Sequence, residues 1–172
     1  MFRPKMLEAF NKHLNSEMYS AYYYLSMSAF FHDKDLNGFA TWMRTQYQEE
    51  LMHAAKFFDF INDREGVVDL PAIESPPSEW DSPLNVFEDA LKHEQGVTQK
   101  IYGLVDLSLE HRDHASNTFL QWFVTEQVEE EATVTEIIQQ LKLVDNDGNG
   151  LFLMDRELGQ RPQAEDEGSD GG

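Results

Sequence analysis

Residues 46–58 read QYQEELMHAAKFF, and within them Glu50-x-x-His53 sets a carboxylate and an imidazole about one turn apart, on the face that carries Tyr47, Ala54 and Phe57. An acid inside an apolar stripe is the deciding feature, because Glu is seldom buried without a partner. Glu17 lies 33 residues before Glu50, and the same interval separates Glu94 from Gln127. The pattern recurs after 77 positions: Phe10 matches Phe87, Leu14 matches Leu91, Glu17 matches Glu94, Trp42 matches Phe119, Glu49 matches Glu126, and His53 matches Glu130. Such a repeat describes a duplicated helical hairpin.

The flanking periodicity agrees. Phe10, Leu14, Ala21, Tyr24 and Ser28 recur at steps of three and four, predicting a helix from about Lys5 to Phe31. After the break at His32 to Gly38, Met43, Tyr47, Ala54, Phe57 and Ile61 predict a second from about Phe39 to Asp63, stopped at Gly66. Pro71, Pro76, Pro77 and Pro83 mark an extended connection of about twenty residues, because proline removes a helical donor and clashes with the preceding turn. Phe87, Leu91, Val97, Ile101 and Val105 predict a third helix from about Pro83 to Leu109. Phe119, Phe123, Val134, Ile137 and Leu141 predict a fourth over Ala115 to Val144, and Leu151 to Leu158 reads as a short fifth.

The expected architecture is all-α: a four-helix up-down bundle with a long crossover between helices two and three, plus a short C-terminal helix. One domain spans 1–160, and the acidic, Gly-rich segment 161–172 is expected to be a disordered tail. The midpoints of Glu17/Glu50 and Glu94/Gln127 fall at the two hairpin turns. Both pairs therefore sit roughly 24 Å from a turn at 1.5 Å per residue, and all can meet in one layer.

The composition narrows the chemistry. Lys plus Arg total 13 against 32 Asp plus Glu, a formal charge of −19, and no basic patch interrupts the acidic surface. That excess repels phosphate backbones and anionic lipids, which excludes nucleic acid and membrane as expected partners. No cysteine is present, so any metal must use oxygen and nitrogen ligands. The first dozen residues lack an apolar signal core and Ala21 to Phe31 is too short to span a bilayer, so the expected setting is the cytoplasm.

Glu17, Glu50, Glu94 and Glu130 all lie between apolar neighbours on their stripes. Burying one unpaired carboxylate costs several kcal/mol, so a layer of four demands compensating cations. Carboxylate-rich ligation with the single imidazole of His53 suits iron or manganese better than zinc or copper. Solvated glutamates on a plain scaffold bundle remain the competing reading, as does a di-iron oxidase or peroxidase that stores nothing.

Glu17, Tyr24, Glu49, Glu50, His53, Glu94, Trp122, Glu126, Gln127, Glu129 and Glu130, with the runs at 48–54 and 126–131, together resemble the non-haem ferritins of the bacterial and archaeal type over residues 5 to 160. The ligand pattern that follows is that family's general rule. The resemblance implies a ferroxidase that oxidises Fe(II) to Fe(III) at an intrasubunit di-iron centre. Glu17, Glu50 and His53 would hold the first iron with Glu50 bridging, Glu94 and Glu130 the second, and Gln127 would be a weak ligand or a neighbour of one. Glu49, Glu126, Glu129 and Glu130 would form a third site, with a solvated acidic face as the alternative. Tyr24 would hydrogen-bond a ligand or donate an electron, or simply pack. Dioxygen or hydrogen peroxide would be the oxidant, and hydrous ferric oxide would be stored in a homo-oligomeric cage of 24 subunits, with the fifth helix at the fourfold axes.

The departures are specific. Gln127-x-x-Glu130 stands where symmetric di-iron proteins repeat Glu-x-x-His, favouring a site that iron passes through. The methionine that binds haem in bacterioferritins falls on Leu51, with Met52 one place late, so no haem is expected. The acids of the animal threefold channel fall on Asn117 and Leu120, and the four cysteines of a rubrerythrin are missing. Asp145, Asp147, Asn149 and Gly150 imitate half of a calcium loop, but its twelfth position is Arg156. That stretch is expected instead to be a helix stop with Gly148 or Gly150 left-handed.

Overall fold

Each apolar stripe becomes a helix. The computed structural model describes residues 2–145 and 147–162. Its elements are α1 (Pro4–Asp33), α2 (Asn37–Asp63), α3 (Pro83–Glu110), α4 (His114–Val144) and α5 (Gly148–Leu158), with no strand among the described residues. Pro4 and Pro83 stand in first turns, where the missing N–H costs nothing. The side chains of Ser82, Asp113 and Asp147 cap α3, α4 and α5 by accepting from the backbone N–H of Asn85, Ser116 and Gly150. No described helix is long and apolar enough to cross a membrane. Residues 163–172, most of the expected tail, lie outside the described residues.

The helix stops differ from expectation in an instructive way. Asp35, Glu65 and Arg112 take the left-handed conformation, with φ of 57°, 57° and 51°. In each case the next N–H reaches back five residues: Leu36 to Phe31 O at 3.0 Å, Gly66 to Ile61 O at 2.8 Å, and Asp113 to Ser108 O at 2.8 Å. The stop expected at Gly66 is thus made by Glu65, the left-handed residue just before it. The small size of Gly66 matters instead, because a Cβ there would come within 2.8 Å of Leu7 Cδ1 and 2.9 Å of the Ile61 carbonyl oxygen. After α4 the left-handed residue is Asp145, with φ 38°, and not Gly148 or Gly150. Both glycines enter α5, which starts three residues before Leu151 because Asp147 accepts from Gly150 N at 2.8 Å. Of the calcium-like acids, Asp147 is thus used to cap a helix.

α1 and α2 form one hairpin, α3 and α4 the second. The crossover runs back along α1: Asn11 bonds Val67 O at 3.0 Å and Asp69 N at 2.7 Å, and Ser26 Oγ donates to Pro77 O at 2.6 Å. This return puts the two hairpin turns at opposite ends of the bundle. Phe87, early in α3, packs on Phe31 and Phe39 beside the first turn, while Phe119, early in α4, packs on Phe10 and Phe57 at the far end. Helices of about thirty residues are about 45 Å long, so a position roughly 24 Å from either end is the middle.

The core accordingly divides in two. One apolar cluster contains Tyr23, Tyr24, Met27, Phe31, Phe39, Trp42, Phe87, Val134 and Leu141. The other contains Met6, Phe10, Leu14, Phe57, Ile61, Val97, Ile101, Leu120 and Phe123. Between them lies a buried polar belt. Fully burying each large side chain contributes about 1.5–3 kcal/mol, so two such clusters can offset the cost of the belt.

Candidate metal centre

The belt contains Glu17 (1% exposed), Glu50 (2%), His53 (4%), Glu94 (0%), Gln127 (3%) and Glu130 (5%), with Tyr24 at 0%. Each of the four long helices contributes. α1 carries Glu17 and Tyr24 two turns apart, α2 carries Glu50 and His53, α3 carries Glu94, and α4 carries Gln127 and Glu130. The spacing predicted from the sequence therefore converges in one layer.

Two candidate ligand sets lie in or beside the belt among the described residues. Atoms of Glu17, Glu50 and His53 lie within 4.8 Å of one another, as do atoms of His53, Glu126 and Glu130. Within the first set, one oxygen of each of two buried carboxylates, Glu17 Oε2 and Glu50 Oε2, has no hydrogen-bond partner. Glu50 Oε2 lies 3.3 Å from His53 Nδ1 without hydrogen-bond geometry. Orphaned carboxylate oxygens are costly in a closed interior and mark where positive charge is missing.

Glu94 belongs to neither set. It accepts from the Tyr24 hydroxyl and from Gln127 Nε2, the latter at 3.2 Å. Gln127 Nε2 also reaches Glu94 O and Thr98 Oγ1, each at 3.2 Å. Of the residues expected at a third site, Glu126 joins His53 and Glu130, Glu49 is half-buried, and Glu129 is exposed outside both sets. Trp122 stands beside His53 with ring centres 5.4 Å apart.

Neighbours not picked out from the sequence complete the layer. His13 Nε2 lies 2.6 Å from Glu17 Oε1, one turn earlier on α1. Gln46 Nε2 donates to Glu130 Oε2 at 2.8 Å. The guanidinium of Arg161 donates to Gln46 Oε1 and, at 2.8 Å, to Glu49 Oε2. His13 and Gln46 stand four residues before Glu17 and Glu50, so extending each stripe by one turn finds them. Arg161 leaves no comparable signal.

The electrostatics describe a site short of cations. Burial pushes the Glu17 carboxyl up, but the charge and hydrogen bond of His13 outweigh it and hold the group at about 2. Burial and then the charges of Glu94 and Glu17 push Glu50 well above the ordinary carboxylate range. Burial raises Glu94 to about 7 despite the hydrogen bonds from Tyr24 and Gln127, and it raises Glu130 to about 8, helped by the charges of Glu94 and Glu49. Burial also lowers His53, keeping the imidazole in the neutral form that binds metals. The raised Glu50, Glu94 and Glu130 follow the direction expected when like charges share a low-dielectric pocket, and Glu17 departs from it because His13 supplies the opposite charge.

This fold, with a buried carboxylate and histidine belt at its middle, is that of the ferritin-like helical bundles. The chain belongs to the ferritin family, matching its Ferritin-like domain over residues 7–144. It is similar to the bacterial non-heme ferritin of Staphylococcus saprophyticus, at 41% identity over 97% of this chain and 100% of that protein. The bacterial non-heme ferritin of Bacteroides fragilis is 40% identical over 94% of this chain and 100% of its own length. Among solved structures, the open pore ferritin of the hyperthermophilic archaeon Archaeoglobus fulgidus superposes with a TM-score of 0.93 at 50% identity, covering 94% of this chain and 99% of that one.

Proposed function

We propose that this chain is the subunit of an iron-storing ferroxidase cage. The observation that carries the reading is the pair of orphaned buried oxygens, Glu17 Oε2 and Glu50 Oε2, facing a layer with His53. Iron here is substrate and cargo. Two Fe(II) ions bind pairwise, one at Glu17, Glu50 and His53, the other at Glu94 and Glu130, with Glu50 between them and Gln127 as a weak donor. Hard anionic oxygens stabilise Fe(III) more than Fe(II), so the pair is readily oxidised. Each iron gives one electron; dioxygen takes two electrons and two protons to become hydrogen peroxide, or peroxide takes the same to become two waters.

The chain's own groups suit those steps. Glu94 and Glu130, held near 7 and 8 in the empty layer, give up protons as the cations arrive. Tyr24, whose hydroxyl donates to Glu94, keeps that carboxylate oriented. Glu126 and Glu130, reached together with His53, offer the ferric product a next set of ligands. Storage follows from the kinship with ferritins, and a closed shell gives the mineral a place to form.

Sizing the assembly before and after loading with excess Fe(II) tests storage. A large shell that stays soluble with iron inside supports it; a dimer that precipitates iron contradicts it and leaves a di-iron oxidase.

A further inference from the structure

α5 lies against the start of α2, and glycines allow it. A Cβ on Gly38 would fall 1.6 Å from the Asp155 carbonyl oxygen, and one on Gly159 would come within 3.1 Å of Gly38 Cα. Asp155 Oδ1 accepts from the N–H of Gly38 at 2.8 Å and of Phe39 at 3.0 Å, so the last turns of α5 cap the first turn of α2. The chain then continues along α2 toward the polar belt. Arg161, three residues beyond α5, lies 4.7 Å above the Trp42 ring, hydrogen-bonds Gln46 and pairs with Glu49. Gln46 in turn holds Glu130.

A guanidinium is a fixed positive charge with a planar fork, suited to holding a carboxylate and an amide oxygen together. Here it occupies the flank of the layer, directly against Glu49 and one hydrogen bond removed from Glu130 through Gln46. Its charge is felt at Glu130, where it opposes the charge of Glu49. A divalent ion arriving beside Glu49 meets a resident cation and a carboxylate already engaged.

We propose that Arg161 is a positioning residue that acts as a built-in counter-ion at the outer metal position. It engages Glu49 and Gln46, holds a third divalent cation off until the inner pair is filled, and yields its place as metal moves outward. The inference rests on the ferroxidase reading and deepens it by naming what sets the order of filling. The ligand class is a hard divalent or trivalent cation taken by Glu49, Glu126 and Glu130 once Arg161 swings clear. A carboxylate shared with a guanidinium is a poorer metal ligand than a free one, so removing the guanidinium acts most on the outer position and reaches the inner pair only through Gln46 and Glu130.

The test is anaerobic calorimetric titration of the full-length assembly with Zn(II), which is redox-silent and counts sites without turnover. In the wild-type protein two equivalents per chain bind tightly and a third weakly. In Arg161→Gln the third tightens about tenfold relative to the second while the number of tight inner sites stays at two, and Arg161→Lys, which keeps the charge but loses the fork, falls between. Trp emission supplies a readout on the wild-type chain: the third equivalent releases Arg161 from Trp42 and shifts the spectrum, and Trp42→Phe removes that step. Two tight equivalents with an unchanged third in Arg161→Gln overturn the inference alone, even if thermal stability falls, since Arg161 would then only anchor the segment. Fewer than two tight equivalents in both proteins overturn the ferroxidase reading and this inference with it.

Discussion

His13 Nε2 lies 2.6 Å from Glu17 Oε1, and the other oxygen of the same carboxylate, Oε2, has no partner. The histidine thus fixes one oxygen and leaves the second turned toward Glu50 and His53. Groups that orient a ligand in this way commonly set metal affinity by about 10–100-fold. His13→Ala is expected to weaken the first Zn(II) equivalent by that factor while the number of sites stays the same. Competition calorimetry reads it, and an unchanged first affinity means Glu17 is held by packing alone.

Glu50 is buried with its carboxyl pushed well above its ordinary range, so the empty layer already favours its neutral form. Glu50→Gln keeps the shape and removes the charge. The apo thermal midpoint should hold or rise, while fast Fe(II) oxidation falls by about tenfold or more, since a neutral amide bridges two cations poorly. A variant that loses stability but keeps fast oxidation contradicts the assignment of Glu50 between the irons.

The pH dependence has a definite sign. Glu94 and Glu130, raised to about 7 and about 8, bind more protons in the folded apo chain than unfolded carboxylates do. Their contribution to apo stability is full below the unfolded value and is lost as pH rises through 7 and 8. Glu17, lowered to about 2, is ionised throughout that window and adds no slope. His53, lowered by burial, and His93, lowered by burial to about 4, act in the opposite direction, but only below an unfolded histidine's 6.5. Between pH 6.5 and 8.5 the apo Tm should therefore fall, and the Zn(II)-loaded Tm should rise because metal binds the deprotonated acids. Thermal scans with chelator and with Zn(II) compare the two slopes; parallel slopes contradict the protonated layer.

Gly38 has no room for a methyl group, with the Asp155 carbonyl 1.6 Å from the ideal Cβ. Gly38→Ala should push α5 off α2 and release Asp155 from the N–H groups it caps, leaving the four-helix bundle folded. Hydrogen exchange should show lost protection over residues 148–158 and retained protection in α1 and α3. Loss of protection throughout would mean that α5 is integral to the bundle.

Much of this was legible from the order of residues. The 77-residue repeat and the two 33-residue intervals depend only on helix rise and hairpin symmetry, so Glu17, Glu50, His53, Glu94, Gln127 and Glu130 sit buried in the layer the spacing requires. Tyr47, Leu91, Val105 and Phe119, read on the same stripes, end half-buried at the core's edge, because periodicity gives a face but not how far the next helix covers it. The stops were legible as breaks but not in mechanism: side-chain-bearing Asp35, Glu65, Arg112 and Asp145 take the left-handed turns expected of glycine. Arg161 falls, by sequence, at the start of the acidic, Gly-rich tail. Its contact with Glu49 arises only once α5 folds back on α2, a relation across 112 residues that no local pattern encodes.

The most direct test of the ferroxidase reading is rapid mixing of the anoxic, Fe(II)-loaded assembly with air-saturated buffer over a range of iron-to-chain ratios. The account predicts a fast oxidation burst whose amplitude grows up to about two Fe(II) per chain, then breaks to a slower phase, and which Glu50→Ala abolishes. An amplitude that climbs in proportion to added iron with no break, or a burst that survives in Glu50→Ala, contradicts it.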